Sequence, residues 1–102
     1  MSLKKKYAKS KPLCKVTFTV PKTIAGSAKS IQLVGEFNDW SIHQTPLKKM
    51  KSGQFSATID LAIGREYQFR YLIDDCNWVN DSKADRYVRS DYGDCDNSVV
   101  AV

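Results

Sequence analysis

Apolar and polar residues alternate along several short segments of the chain, with the period of two that is typical of β-strands that bury one face. The clearest case is the segment 54–61, in which Phe55, Ala57, Ile59 and Leu61 alternate with polar residues. The pattern predicts five strands, over residues 15–20, 30–37, 54–61, 66–74 and 98–102. No segment keeps the 3.6-residue period of a helix, so we expect at most one helical turn, over residues 84–89.

Turn-forming pairs separate the predicted strands, because Gly, Asn and Asp adopt turn conformations easily. They are Ser52-Gly53, Ile63-Gly64, Asn38-Asp39 and Asn80-Asp81. Short strands joined by turns within 102 residues predict one all-β domain, an antiparallel β-sandwich.

The net charge of +5 suggests nucleic-acid binding at first, but the positive charge is concentrated at one end. Five lysines and no acid occur in the first thirteen residues, whereas eleven basic residues balance eleven acids in the rest of the chain. We therefore predict a basic, disordered arm over residues 1–13 and a sandwich over residues 14–102, with no nucleic-acid partner. Polyanion binding through the arm stays open as a weaker alternative.

The sequence has neither the run of about 20 apolar residues that a membrane span needs nor the apolar segment of a secretory signal. The cysteines Cys14, Cys76 and Cys95 are odd in number and widely spaced. This spacing fits neither a disulfide framework nor a zinc site. We expect free thiols, a cytoplasmic protein without membrane contact, and no metal or cofactor.

The residues also argue against an enzyme. The acids of the C-terminal half lie on predicted loops without an apolar pocket that would raise the pKa of one of a catalytic pair. No Ser-His-Asp order or phosphate-binding loop occurs, and the one histidine, His43, lies in a polar loop. The segment Asp94-Cys95-Asp96-Asn97 lacks the ligand spacing of a calcium loop.

The two tryptophans provide the best candidate for function. Trp40 follows the second predicted strand in a polar turn, and Trp78 lies just beyond the fourth predicted strand. Arg70 has the opposite parity to the core set of Tyr67, Phe69 and Tyr71, so it faces away from the core. Trp is costly to leave in water unless it packs or binds a partner. The pattern favours an exposed aromatic platform over a plug at the end of the sandwich.

A series of motifs occurs in order over residues 15–102: the stretch Leu33-Val34-Gly35-Glu36-Phe37-Asn38-Asp39-Trp40, then Pro46-Leu47, Gly53-Gln54-Phe55, Asp60-Leu61, Gly64, Tyr67-Gln68-Phe69-Arg70-Tyr71, Asp74, Trp78 and Asn97-Ser98. In these motifs the chain resembles the family forty-eight carbohydrate-binding modules. Members are early-set, immunoglobulin-like domains at the N-termini of isoamylases and glycogen branching enzymes. They also form the glycogen-binding domain of the AMP-activated protein kinase beta subunit.

The resemblance implies a glucan site made of Trp40, Trp78, Arg70 and Asn97, with Tyr92 at the position of an aliphatic residue that enters the sugar spiral. The chain departs from the family pattern in two places. Arg70 replaces a lysine, and the segment 74–78 is one residue longer than the usual Asp-Gly-x-Trp and lacks its glycine.

The expected function is non-catalytic binding of an α-glucan, alone or as a targeting piece of a partner enzyme or kinase subunit. The alternative from another class is a protein-interaction module in which Trp40 and Trp78 are hot spots. For single residues the alternatives are an ion pair of Arg70 with Asp60 or Glu66 and a turn cap formed by Asn97.

Overall fold

The computed structural model describes residues 1–90 and 95–102, and within them it forms two antiparallel sheets. The first sheet has the order β1-β2-β5-β4, with β1 at Ser2–Tyr7, β2 at Leu13–Val20, β4 at Lys48–Lys49 and β5 at Phe55–Ala62. The second has the order β3-β6-β9-β8, with β3 at Ile31–Gly35, β6 at Glu66–Ile73, β8 at Arg86–Arg89 and β9 at Asp96–Ala101. Strand β7, Asn77–Val79, also pairs with β6. The predicted all-β sandwich is confirmed.

The core lies between the two sheets and is built by alternate residues of facing strands. In β2 these are Cys14, Val16, Phe18 and Val20, and all four are fully buried. In β6 they are Tyr67, Phe69 and Tyr71. The Phe69 ring meets Phe18 edge-on at 5.1 Å between ring centroids and Tyr71 at 5.7 Å. Such aromatic pairs add about 0.5–1.5 kcal/mol each to the free energy of area burial.

The first residues differ from the predicted disordered arm. Strand β1 pairs with β2 from Ser2 opposite Thr19 to Tyr7 opposite Cys14. Leu3 packs against the core, and the Lys5 ammonium lies 2.7 Å from the Asp85 carboxylate. Lys4 and Lys6 point to solvent, whereas Lys5 lies on the same face as Leu3 and is partly buried. Charged residues are common on such edge strands because they discourage pairing with other chains. The high lysine content therefore led to the prediction of a disordered arm where a strand is present.

The segment 84–89 contains strand β8 and not a helical turn. Its residues Arg86 to Arg89 pair with β9 from Val99 to Asp96. Strand β8 ends the path of its sheet, and all its side chains are at least partly exposed, so no apolar alternation marks it. Other short elements also lacked a clear signal, among them β4, β7 and the one-turn helix α1 at Lys22–Ala25, which follows Pro21.

Candidate functional site

A groove of about 570 Å³ runs over the outer face of the second sheet. We call it the tryptophan groove, and its lining residues are Glu36, Trp40, Gln68, Arg70, Trp78, Ser90 and Asn97. It forms on this face because Gln68 and Arg70 alternate along β6 with residues that point into the core. The strand thus supplies the core on one side and the floor of the groove on the other.

Trp40 reaches the groove through a tight reversal of the chain after β3. A 3₁₀ turn spans Glu36–Asn38, and the next two residues, Asp39 and Trp40, adopt left-handed backbone angles with φ of 54° and 58°. The Trp40 N–H donates to the Gly35 carbonyl at 2.8 Å, which fixes the tryptophan backbone at the end of β3. The side chain remains 39% exposed.

The buried Asn38 side chain holds this reversal in place. Its Oδ1 accepts from the Gly35 N–H at 3.1 Å, and its Nδ2 donates to the Leu33 carbonyl at 2.8 Å and to the Thr45 hydroxyl at 3.0 Å. These bonds satisfy buried backbone groups that the end of a strand would otherwise leave unpaired. The Trp40 turn is therefore anchored to β3.

Trp78 reaches the opposite side of β6 through the β6–β7 hairpin. The turn after Ile73 holds Asp74 and Asp75 at φ of 51° and 60°, which aspartate tolerates better than most residues. The Asp74 carboxylate accepts from two backbone N–H groups, of Lys29 at 2.7 Å and of Ser30 at 3.0 Å. The turn therefore accommodates the extra residue of this segment.

Within β7, Trp78 lies opposite Leu72 of β6 and stays 45% exposed. Leu72 has the same parity as Arg70, so Trp78 stands beside the floor of the groove. Trp40, which follows β3, stands on the other side of β6, because β3 and β7 pair with opposite edges of that strand. Two half-exposed indoles thus flank one polar floor.

The floor of the groove is a chain of hydrogen bonds. The Arg70 Nε donates to Asn97 Oδ1 at 2.5 Å, and the Arg70 Nη2 lies 3.0 Å from the Cys95 sulfur. The Asn97 Nδ2 donates to Gln68 Oε1 at 2.9 Å. The backbone N–H of Gln68 in turn donates to Glu36 Oε1 at 2.6 Å. Polar side chains from three elements are thereby tied together beneath the two indoles.

The chain matches the family model described as the glycogen recognition site of AMP-activated protein kinase over residues 20–102. The protein belongs to this family. Its members are carbohydrate-binding domains that recognise glycogen and are generally non-catalytic. No curated protein matches the chain. Among the described residues, no helix is long and apolar enough to cross a membrane.

For this member of the glycogen-recognition family, the structure brings four of the five predicted site residues into one groove: Trp40, Arg70, Trp78 and Asn97. The fifth, Tyr92, lies outside the described residues. Arg70 contacts Asn97 and Cys95 and makes no ion pair within the described part of the chain.

The alternatives for Arg70 and Asn97 are therefore not what the structure shows. Asp60 belongs to β5 in the other sheet, and Glu66 pairs with Arg86. Asn97 lies within β9, where its side chain bonds to two other side chains and does not cap a turn.

Sequence reasoning missed three residues of the groove: Glu36, Gln68 and Ser90. A signal existed for Gln68, because it shares the outward parity of Arg70 two residues away. Glu36 and Ser90 follow strand ends, where the chain leaves the regular alternation, so the pattern gives no side-chain direction for them.

The described residues of the groove do not include the pair of carboxyl groups that a glycosidase ordinarily uses. Among its described lining residues Glu36 is the only carboxylate, whereas glycoside hydrolysis ordinarily uses two carboxyl groups flanking the bond. Within the described residues no three His, Cys, Asp or Glu side chains are grouped as metal ligands. The arrangement suits the binding of a neutral, hydroxyl-rich molecule with apolar faces.

Proposed function

We propose that this protein binds chains of α-1,4-linked glucose, of the glycogen or starch type, in the tryptophan groove and catalyses no reaction. The observation that carries the proposal is the convergence of two half-exposed indoles, Trp40 and Trp78, on one groove with a hydrogen-bonding floor. The α-glucan class rests on the family to which the chain belongs.

The groove fits the surface of a sugar. A glucose ring has apolar C–H groups on its faces and hydroxyl groups around its rim. An indole covers the face, and this burial contributes on the order of 25 cal/mol for each Å² of apolar surface removed from water. The Arg70 guanidinium and the Gln68 side-chain amide can bond rim hydroxyls, at about 1 kcal/mol net for each bond. An α-1,4 chain curves, so two indoles on opposite sides of β6 suit it.

Affinity should be modest because association itself is costly. The site offers a ligand two stacked indoles and two or three hydrogen bonds. After the entropy cost of association is subtracted from the free energy of these contacts, the dissociation constant should be roughly 10 μM to 1 mM. This range suits reversible attachment to a polymer that presents many equivalent ends.

The test is an NMR titration of the ¹⁵N-labelled protein with maltoheptaose. Indole and amide signals of Trp40 and Trp78 should shift, and Trp40→Ala or Trp78→Ala should weaken binding by about tenfold or more, as expected for one lost aromatic platform. Tyr7→Ala is the control, because Tyr7 is 54% exposed but lies on the first sheet. No shift in the tryptophan signals, or equal losses for Tyr7→Ala, would contradict the proposal.

A second candidate function is docking of a partner protein. Two exposed tryptophans beside an arginine have the composition of an interface hot spot. In that case maltoheptaose should leave the spectrum unchanged, and the same tryptophan variants should lose the protein partner.

We also propose that the domain targets a partner enzyme or kinase subunit to glucan, which the family description supports. Co-precipitation of such a partner with glycogen should depend on Trp40. A cytoplasmic location is proposed from the free thiols of all three cysteines, two of them exposed, which are typical of a reducing compartment. Fractionation of cells expressing the protein tests it.

A further inference from the structure

We propose that Gln68 determines specificity in the tryptophan groove, because Asn97 fixes its side-chain amide so that the NH₂ group faces the ligand. This inference rests on the proposed function, since the ligand is taken to be the α-glucan. It assigns Asn97 a positioning role and Gln68 the direct contact with a sugar oxygen.

The orientation of the two amides follows from the chemistry of arginine. A guanidinium can only donate hydrogen bonds, so the Asn97 atom 2.5 Å from Arg70 Nε must be the carbonyl oxygen. The Asn97 NH₂ group then points to Gln68 and donates at 2.9 Å. Gln68 must accept that bond with Oε1, which leaves its Nε2 as the donor end. Arg70 thus fixes the direction of both hydrogen bonds, from Arg70 to Asn97 and from Asn97 to Gln68.

Asn97 is itself poorly placed to read a sugar. It is only 6% exposed, and both ends of its amide are engaged by Arg70 and Gln68. Gln68 is less buried than Asn97 and lines the groove. The family resemblance implies direct ligand contact by Asn97, whereas the structure points to action through its neighbour.

The backbone of Gln68 is fixed as firmly as its side chain. Its N–H donates to Glu36 Oε1 at 2.6 Å, and its carbonyl passes so close to Gly35 that a Cβ there would lie 2.6 Å away. Because both its backbone and its side chain are held by neighbouring groups, Gln68 loses little conformational entropy when it binds a ligand. The groove therefore offers Gln68 and Arg70 as donors and Glu36 as an acceptor, and the donors select a ligand with oxygen acceptors at their positions.

The deciding variant is Gln68→Glu, which keeps the shape and can still accept from Asn97 but has no proton to donate at neutral pH. Affinity for maltoheptaose should fall about tenfold or more, because a donor is lost and a sugar oxygen is left facing a carboxylate. Gln54→Glu makes the same chemical change outside the groove and should bind like the wild type.

Asn97→Asp tests the positioning role. Aspartate can still accept from Arg70 but cannot donate to Gln68, so the Gln68 amide should turn its NH₂ group toward the new carboxylate and away from the ligand. In the wild type, the Gln68 side-chain NH₂ signals should shift on titration with maltoheptaose. In Asn97→Asp this shift should shrink, and the affinity should fall although Gln68 is unchanged. A residue that served only stability would leave that signal untouched.

The outcomes separate this inference from the proposed function. If the wild type binds but Gln68→Glu stays within twofold of it, the assignment of Gln68 is wrong and the glucan site stands. If the wild-type Gln68 NH₂ signals do not move while those of the tryptophans do, the assignment is also wrong, whether or not the variants fold. If the wild type does not bind maltoheptaose, both proposals fail.

Discussion

Replacing Gly35 with alanine should destabilise the fold and disturb the tryptophan groove together. Gly35 has an extended backbone, with φ of −169°, that any residue adopts. Alanine at such a site normally stabilises a protein by about 0.4–1 kcal/mol, because it restricts the unfolded chain. At Gly35 the sign should reverse, because the added methyl group has no space.

The clash can be read from the neighbours of that methyl group. It would lie 2.6 Å from the Gln68 carbonyl oxygen, 2.8 Å from Phe69 Cβ and 2.9 Å from Phe37 Cζ. The first two belong to the backbone region of the paired strand β6 and cannot move without shifting it. Overpacking of this kind costs about 1–3 kcal/mol. After the gain in the unfolded state, the net loss should be roughly 1–2 kcal/mol.

For a domain of this size, such a loss lowers the melting temperature by roughly 5–15 °C. Thermal unfolding measures it, and the maltoheptaose titration should show weaker binding because Trp40 and Gln68 adjoin the displaced backbone. Gly26→Ala is the matched control. Its methyl group would meet nothing within 4 Å, but its φ of 57° penalises alanine, so it should destabilise without weakening binding. A Gly35→Ala protein as stable as the wild type would refute the reasoning.

Three further predictions concern the groups that support the sandwich. Tyr71→Phe should cost about 1.5–3 kcal/mol in chemical denaturation, because the buried Asp81 carboxylate loses the hydroxyl that donates to it at 2.7 Å. Burial, and next the Asp81 charge, raise the pKa of Tyr71 above its ordinary value of 10.0. The free energy of unfolding of the wild type should therefore fall as the pH rises above 10, because the tyrosine ionises in the unfolded chain but not in the folded one. Tyr71→Phe should remove this part of the loss of stability at alkaline pH. Burial opposes ionisation of Asp85, but hydrogen bonds from the Ala101 N–H and the Lys5 ammonium outweigh it and lower the pKa of Asp85 below 3.8. The free energy of unfolding, measured as a function of pH, should therefore decrease as the pH falls through that region. This decrease should be smaller in Lys5→Gln.

The sequence predicts best where one strand has two different faces. Along β6 the alternation identified the buried aromatic residues and the outward Arg70, and the structure confirms both. A half-buried strand in the middle of a sheet must separate apolar from polar residues, so its pattern is strong. Trp40 and Trp78 stood out for a related reason, because large apolar residues in polar turns conflict with their surroundings.

The sequence predicts poorly at the margins of the sheets. Strands β1 and β8 end the paths of their sheets and carry lysines and arginines, so composition resembles that of a loop or an arm. These strands form because their backbones hydrogen-bond to a neighbouring strand that is distant in sequence, and a local sequence pattern does not show this pairing. The hydrogen-bond chain from Arg70 through Asn97 to Gln68 was hidden for the same reason, because β6 and β9 meet only through tertiary pairing.

The groove lies where β6 changes partners. Strand β9 pairs with β6 through Phe69, β7 pairs from Tyr71 onward, and Arg70 falls between the two registers. On the other edge, β3 ends opposite Phe69, just before the turn to Trp40. Both indoles are therefore placed by strand pairing and short, internally bonded turns, and the floor between them is already hydrogen-bonded. A site of this kind has little backbone to order when a ligand arrives, so more of its contact energy remains as affinity.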